Sequence, residues 1–599
     1  MTSISPTLTE RILAVAARAP AAPFLLRPGR PAIAYGTLAD QIGRVRQRLP
    51  SWGIVPGDIV AGFDRSRPLM AMACASLPSS STFAPLGASL TVDAYADLLR
   101  RLRPKAVLAP AEDGEPLRAA AAALGIPAMH AIPDASGGFS LELDRARAEP
   151  VEPLARPGHA YVIVTSGTTG RPKLVPQGHS QLIGFADAMI DLLRMDAHDV
   201  GYAIQPFNLA GGVRSSIVIP ALAGASIVCL DEGDVDGFFH AIDAFAPTHL
   251  AAAFSIHHAI LRRAPAFPAQ VAASRFRFLR STAGRLDPDE SDAIERLFRA
   301  PVLVGYGATE VSGIAHDPMP PRPRKRGSVG LPVGGEVRAV DADRRPCRPG
   351  ETGELVVRGN LVFDGYLDDP GLNARAFDGE WFRTGDAGHV DDDGYVFITG
   401  RLAEMINRGG EKIAPVGIDR AIEAVPGVRE AGAFGVPHPT LGEEIAAAVV
   451  LEPGATIGES GIVAHLRESL GPRRVPRRLY FVDRLPRTEA GKLRRGELAA
   501  WVAAGSEPRP AEPPPDTEAR SPTEAALAGL WSSILRRGPV ERDDDFFLLG
   551  GDSMSAAELV RQVELVFGVA LPLHAMFEDT PTLSGMARAI ERSRGSAPR

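Results

Sequence analysis

Cysteine is scarce in this chain of 599 residues: three occur, Cys74, Cys229 and Cys347, far apart and without histidines at ligand spacing. That pattern speaks against a disulfide framework or a zinc site and predicts small buried hydrophobes in a reducing compartment. Aromatic residues make up only 6% of the chain. Excess positive charge is missing too, with a formal net charge of −7, so nothing supports a nucleic-acid binder. No apolar run approaches the roughly 18 residues that a membrane span needs. The first twenty residues, "MTSISPTLTERILAVAARAP", place Glu10 and Arg11 ahead of their apolar positions, a pattern of an amphipathic helix and not of a signal peptide. The expectation is a cytoplasmic protein without a membrane segment.

What is present is a chain too long for one hydrophobic core, so three or four folding units are expected. Short apolar runs, "HAYVIV" (159–164), "ASIVCL" (225–230) and "APVLVGYG" (300–307), read as buried strands. They alternate with helical patterns such as "VDAYADLLRRLR" (92–103) and "PDESDAIERLFR" (288–299). The alternation predicts α/β layering with mixed sheets. "HVDDDGYVFITGR" reads as a hairpin with Asp393 and Gly394 in its turn. The stretch "AAGSEPRPAEPPPDTEARSP" (503–522) is rich in Pro, Glu and Ala and cannot bury enough surface to order itself, which makes it a tether. About eighty residues follow it. Their helical patterns at 522–536, 553–567 and 582–594 predict a small bundle around Leu527, Leu530, Phe546, Leu559 and Leu583.

The stretch "VTSGTTGRPK" (164–173) gathers hydroxyls, two glycines and one cation. Backbone amides beside hydroxyl side chains form a nest for phosphate oxygens, glycines admit the anion closely, and Lys173 adds a compact charge. Pro172 precedes the lysine, so the spacing is not that of a Walker A loop. Taken alone, the motif divides evenly between a phosphate cradle and a flexible surface loop.

Four further motifs follow in order: "GYGATE" (305–310), "WFRTGD" (381–386), "GRLAEMINRGGEKI" (400–413) and "LPRTEAGKLRR" (485–495). With the 164–173 stretch they resemble the adenylate-forming superfamily of acyl-CoA synthetases, luciferases and nonribosomal peptide synthetase adenylation domains. The resemblance covers roughly residues 1–500. It implies an α/β and α+β multidomain protein: a large adenylate-forming domain with mixed sheets (1–400) and a small mobile α+β lid (401–502). A linker (503–520) and a helical-bundle carrier domain (521–599) then complete the chain.

The same resemblance assigns ATP binding to Thr165, Ser166, Gly167, Thr168, Thr169, Gly170 and Lys173. It implies that Tyr306 stacks on adenine, Thr309 bonds the α-phosphate and Glu310 holds Mg2+. Asp386 would accept both ribose hydroxyls with Arg401 nearby, and Lys492 would bridge the acid carboxylate and the α-phosphate. Gly409 and Gly410 would leave a slot for a pantetheine arm. The chemistry is coherent, because a carboxylate becomes an electrophile only after attack on the α-phosphate of ATP, a displacement that cations must assist. One departure stands at the lid hinge, where the family usually has Asp or Lys and this chain has Ala403 followed by Glu404.

Beyond the tether, "DDFFLLGGDSMSAAELV" (544–560) resembles the attachment site of acyl and peptidyl carrier proteins, with Ser553 bearing 4′-phosphopantetheine at a helix start. That implies a phosphopantetheinyl transferase as partner, and a downstream condensation or ketosynthase partner on another chain. For the acid itself, the matching segment is "QPFNLAGG" (205–212). Peptide-synthetase adenylation domains place an aspartate after the aromatic Phe207 to hold an α-ammonium, and here Asn208 stands there. An aryl or aliphatic acid is therefore expected over an ordinary α-amino acid. The remaining pocket positions by resemblance, Gly212, Ser281, Ala283, Gly305, Gly313 and Ile314, are mostly small and point to a roomy pocket. The expected function is ATP-dependent loading of a carboxylic acid onto the chain's own carrier, in secondary-metabolite biosynthesis. Release of acyl-CoA, an amino-acid-activating module and a non-enzymatic carrier scaffold remain alternatives.

Overall fold

A computed structural model describes the chain from residue 6 onward, except residues 111, 145–151, 166–171, 283, 285, 439–440, 472–473, 488–491, 506–520, 536–539, 541, 543–545, 547–548, 550, 552, 573–581 and 596–599. The tether expected at 503–520 thus lies largely outside the described residues. Two compact units divide the chain. The first comprises residues 1–406, 412–417 and 486–497, and the second residues 407–411, 418–485 and 498–599.

The first unit is built on sheets whose strands are the predicted apolar runs. A seven-stranded sheet has strands Ile59–Gly62, Thr82–Pro85 and Ala106–Leu108 at its centre, all parallel, and antiparallel pairs at both edges. The edge pair that matters most is His159–Thr165 with Lys173–Gly178, in a register that sets Thr165 opposite Lys173. In a five-stranded sheet, Phe278–Thr282 lies between His249–Ala253 and Val302–Tyr306, parallel to both. A further antiparallel sheet contains Trp381–Val390 and Val396–Arg401, joined by the expected turn, where Gly394 adopts φ +82°. Apolar side chains fill both faces of the central parallel strands, as at Val60, Ala61, Phe83, Val107 and Leu108.

Helices cover these sheets. Leu8–Arg18 opens with a capping box, Thr7 accepting from the Glu10 amide while the Glu10 carboxylate accepts from the Thr7 amide. It buries Leu8, Ile12 and Val15, the amphipathic face read from the sequence. The helices expected at 92–103 and 288–299 form as Val92–Leu102 and Pro288–Phe298. Among the described residues no helix is long and apolar enough to cross a membrane.

In the second unit, strand Gly442–Leu451 is flanked by Val428–His438, antiparallel, and by Arg478–Phe481, parallel. Toward the end of the chain the helices Pro522–Leu535, Ser553–Phe567 and Leu583–Gly595 form the expected bundle. Its core contains Leu527, Phe546, Leu559 and Leu583 together with Trp531, whose ring meets that of Phe546 edge-on at 5.1 Å; Leu530 is half-buried against it.

Candidate active site

The strand pairing places Lys173 at the mouth of the 166–171 segment, opposite Thr165. Ser166, Gly167, Thr168, Thr169 and Gly170 lie outside the described residues. Lys173 Nζ stands 3.3 Å from the Tyr366 hydroxyl and 3.8 Å from Glu310 Oε1. The Tyr366 hydroxyl in turn donates to Glu310 Oε1 at 2.6 Å. Burial and the Glu310 charge both push the Tyr366 pKa up, so the phenol keeps its proton and fixes the carboxylate. Sequence motif and distant tyrosine thus converge on one glutamate.

The 305–310 loop starts at the end of strand Val302–Tyr306 and is clamped from below by Arg214. This guanidinium is buried, with Nη1 donating to the Ala308 carbonyl at 3.0 Å and Nη2 to the Thr309 carbonyl at 2.6 Å. Its Nε donates to Gln177 Oε1 at 3.0 Å, and Gln177 Nε2 donates to the same Thr309 carbonyl at 2.9 Å. Burial pushes the Arg214 pKa down to about 9, with Glu310 opposing, so the side chain stays charged near neutrality.

Asp386 and Arg401 face each other in register across their strand pair, with Arg401 Nε 2.8 Å from Asp386 Oδ1. The other oxygen, Oδ2, accepts from the Tyr306 hydroxyl at 2.5 Å. Burial raises the Asp386 pKa, while Arg401, Tyr306 and Lys492 pull it back. Lys492 sits in the 486–497 segment of the same unit, beside an isolated antiparallel bridge between Arg487 and Leu493. Desolvation and then the Arg401 charge lower its pKa, opposed by Asp386, Glu310 and Glu404. Glu404, next to Ala403 in the short turn Leu402–Glu404, pairs with Arg495 at 3.1 Å. The structure thus brings Lys173, Thr309, Glu310, Tyr306, Asp386, Arg401 and Lys492 into one electrostatically connected group.

At the acid-binding positions the picture is tighter than the sequence implied. Phe207 is buried under the Arg67 guanidinium, 4.0 Å from its centroid, and Arg67 is itself held by the carbonyls of Leu230, Ala203 and Gln205. Asn208 lies half-buried in the turn that follows. A Cβ at Gly212 would fall 1.9 Å from the Pro206 carbonyl oxygen, so this glycine permits backbone approach and adds no room. Beside Gly305 and Gly313 a Cβ would meet the His316 and Phe185 rings at 2.8 and 2.7 Å. The expected roominess is corrected here, because larger neighbours occupy the space these glycines leave. Ser281 and Ile314 are buried, and Ala283 is outside the described residues.

Within the second unit, Gly409 and Gly410 take φ +58° and +88° in the turn after Arg408, and the Gly409 amide donates to the Leu441 carbonyl at 2.8 Å. Ser553 is the first residue of helix Ser553–Phe567. A Cβ at Gly551 would overlap the Phe546 ring at 2.3 Å, which gives that glycine a packing reason; Gly550 lies outside the described residues.

Sequence reasoning missed Arg67, Gln177, Arg214, Arg280, His316 and Tyr366. None lies in a recognisable motif. The available signal was weak: arginine within otherwise apolar segments, "GGVRSSIVI" and "FRFLRSTA".

The AMP-binding enzyme family matches residues 13–367, its C-terminal domain residues 417–492, and the phosphopantetheine attachment site residues 525–590. An oxalate–CoA ligase from Arabidopsis thaliana is 33% identical over 506 residues, covering 83% of this chain and 98% of that protein. A sulfoacetate–CoA ligase from Cupriavidus necator is 32% identical over 513 residues, covering 82% and 97%. Among solved structures, ATP-bound MatB from Rhodopseudomonas palustris superposes with a TM-score of 0.73 at 25% identity, covering 83% of this chain and 99% of MatB. With the family matched over most of the first unit and the attachment domain following it, the chain belongs to the AMP-binding enzymes as an adenylate-forming acid–thiol ligase fused to a carrier domain.

Proposed function

We propose that this chain converts an aryl or aliphatic carboxylic acid to its acyl-AMP and transfers the acyl group to phosphopantetheine on its own Ser553. The observation that carries the reading is the pairing of a ligase of this family with an attachment domain on one chain. A free ligase that releases acyl-CoA has no use for a tethered thiol. Such loading serves an assembly line in cytoplasmic secondary metabolism, with a phosphopantetheinyl transferase installing the arm and a condensation or ketosynthase partner on another chain accepting the acyl group.

In the first half-reaction an acid oxygen attacks the α-phosphorus and pyrophosphate leaves. Lys173 with residues 165–170 binds the phosphates, Thr309 bonds the α-phosphate, and Lys492 bridges it to the acid and offsets the charge that grows in the transition state. Tyr306 carries the adenine, and Asp386 with Arg401 the ribose. Glu310 suits Mg2+, because its hard Oε2 has no hydrogen-bond partner among the described residues while Tyr366 fixes Oε1. Bound there, the ion would neutralise phosphate charge. In the second half-reaction the pantetheine thiol, admitted past Gly409 and Gly410, takes the acyl group and AMP leaves.

For the acid, Asn208 supplies no charge to hold an α-ammonium, and the Arg67 cation lies over the ring of the neighbouring Phe207. The relatives' names include oxalate, sulfoacetate, indoleacetate and ferulate, acids of different size and charge, and do not choose among them.

The test is intact-protein mass after treatment with a phosphopantetheinyl transferase, CoA, ATP and an acid panel. Wild type should gain the arm and then the acyl mass. Ser553→Ala should gain neither yet keep ATP–pyrophosphate exchange. Arm attachment to Ser553→Ala would overturn the assignment. A second reading, release of acyl-CoA, is favoured by the relatives' names as CoA ligases. It would win if free CoA accepts the acyl group faster than the holo carrier does.

A further inference from the structure

Four arginines are buried among the described residues: Arg67, Arg214, Arg280 and Arg495. Three of them have their charge or donors answered. Arg67 pairs with Glu232 at 3.1 Å and with three carbonyls, Arg495 pairs with Glu404 at 3.1 Å, and Arg214 is held by Gln177 and backbone carbonyls. Arg280 is different. Only 6% of it is exposed, and among the described residues no carboxylate pairs with it and no carbonyl accepts from its side chain.

Its two hydrogen bonds go to neutral groups: Nε to His316 Nε2 at 2.8 Å and Nη1 to Ser215 Oγ at 3.0 Å. The histidine accepts at Nε2, so its proton is on Nδ1, which lies 2.7 Å from the Asp317 carbonyl. Burial, reinforced by Arg280 itself, pushes the His316 pKa down to about 3. Burial also brings Arg280 down to about 10, which leaves it cationic at neutral pH. A guanidinium has five donor hydrogens, and two are used. The Phe185 ring, 6.0 Å away, gives only a weak further contact.

A second observation points the same way. The hydroxyls of Ser216, Ser281, Thr282 and Ser312 are buried without a hydrogen-bond partner among the described residues. Ser216 adjoins Ser215, and Ser281 and Thr282 follow Arg280 on its strand. Unanswered donors of this kind are uncommon in folded proteins and call for a partner, an ordered water or a ligand. The location fits. Arg280 stands midway along a strand with parallel neighbours on both sides, two residues before the C-terminal end at which open α/β sheets bind ligands. A Cβ at Gly305 would lie 3.6 Å from Arg280 Nε, and Gly305 immediately precedes Tyr306. Ser215 adjoins Arg214, the clamp on the Thr309 carbonyl.

We propose that the acid carries a second anionic group, a carboxylate or sulfonate remote from the reacting carboxylate, and that Arg280 binds it, with the Thr282 hydroxyl on the same face of the strand. This rests on the acid-adenylating reading above. The reacting carboxylate would go to Lys492 and the α-phosphate, and the second anion to Arg280, so the guanidinium selects the substrate and takes no part in bond making.

The experiment is ATP–pyrophosphate exchange by the full-length wild-type enzyme on matched pairs: malonate against propionate, succinate against butyrate, and sulfoacetate against propionate. At least one dianion should exceed its monoanionic partner about a hundredfold in kcat/KM. Arg280→Gln should cut that preference at least thirtyfold, chiefly through KM for the dianion, and Arg280→Lys should restore part of it. An ATP-induced rise in melting temperature reports whether each variant is folded. Faster exchange with the monoanions by wild type would overturn the proposal. So would equal losses on both members of a pair in folded Arg280→Gln, since Arg280 would then serve the reacting carboxylate. If the enzyme exchanges with aryl or aliphatic monoanions but with none of the dianions, the proposal falls and the adenylating reading stands; if it exchanges with no acid of any of these classes, both fall.

Discussion

The Tyr306 hydroxyl donates to Asp386 Oδ2 at 2.5 Å, joining the end of a strand in one sheet to a strand of another. The residue expected to stack on adenine therefore also orients the residue expected to hold ribose. A carboxylate offers about four acceptor directions. Tyr306 and Arg401 take one on each oxygen, leaving one on each for the two ribose hydroxyls.

Tyr306→Phe keeps the ring and removes this tie. A hydrogen bond to a charged group contributes about 1.5–3 kcal/mol, so KM for ATP should rise about tenfold to a hundredfold with KM for the acid little changed. Exchange kinetics at varied ATP would show this. An unaltered ATP dependence would mean that Asp386 is oriented without Tyr306.

Lys492→Ala should abolish acyl-AMP formation and spare acyl transfer from chemically supplied acyl-AMP. In the structure this lysine belongs with the first unit and feels Asp386 and Glu310. Single-turnover assays of the two half-reactions separate the effects. Equal loss in both would remove the distinction between them.

Arg214→Lys should slow adenylation without greatly changing substrate binding. Lysine places a point charge where the guanidinium now spans Gln177 and the Ala308 and Thr309 carbonyls. Loosening Thr309 and Glu310 by about an ångström should lower kcat about a hundredfold. A loss confined to KM, or no loss, would show that the loop is held by other contacts.

Stability should fall as pH drops below the ordinary histidine value of about 6.5. Burial pushes His179 and His257 down to about 4 and His316 to about 3. Each is neutral when folded and protonated when unfolded between those values, so unfolding takes up protons there. Each contributes a loss of about 1.4 kcal/mol per pH unit across that window. His179 Nδ1 accepts from the Leu8 amide at 3.2 Å, a bond that protonation would break. Denaturant melts at pH 7 and 5 should show the loss, and His179→Gln should reduce it. A midpoint independent of pH would contradict the neutral buried state.

The local elements were legible in the sequence because local chemistry determines them. Apolar runs became the strands His159–Thr165 and Val302–Tyr306, and the amphipathic pattern near the start of the chain became the helix Leu8–Arg18. Glu310, Asp386 and Lys492 were readable because each sits in a short contiguous motif. Arg214, Arg280 and Tyr366 were not, because their meaning depends on neighbours 36 to 98 positions away in two cases and 56 in the third. An arginine in an apolar run looks like an interruption until the fold shows what answers its charge. For Arg214 the tertiary structure supplies carbonyls. For Arg280 it supplies a neutral histidine and a serine, and the unanswered positive charge becomes the feature that bears on the substrate. The ordered motifs, through their resemblance to the adenylate-forming superfamily, determined what kind of reaction to expect of this chain, while the packing of distant strands decided which groups are left with bonds to make.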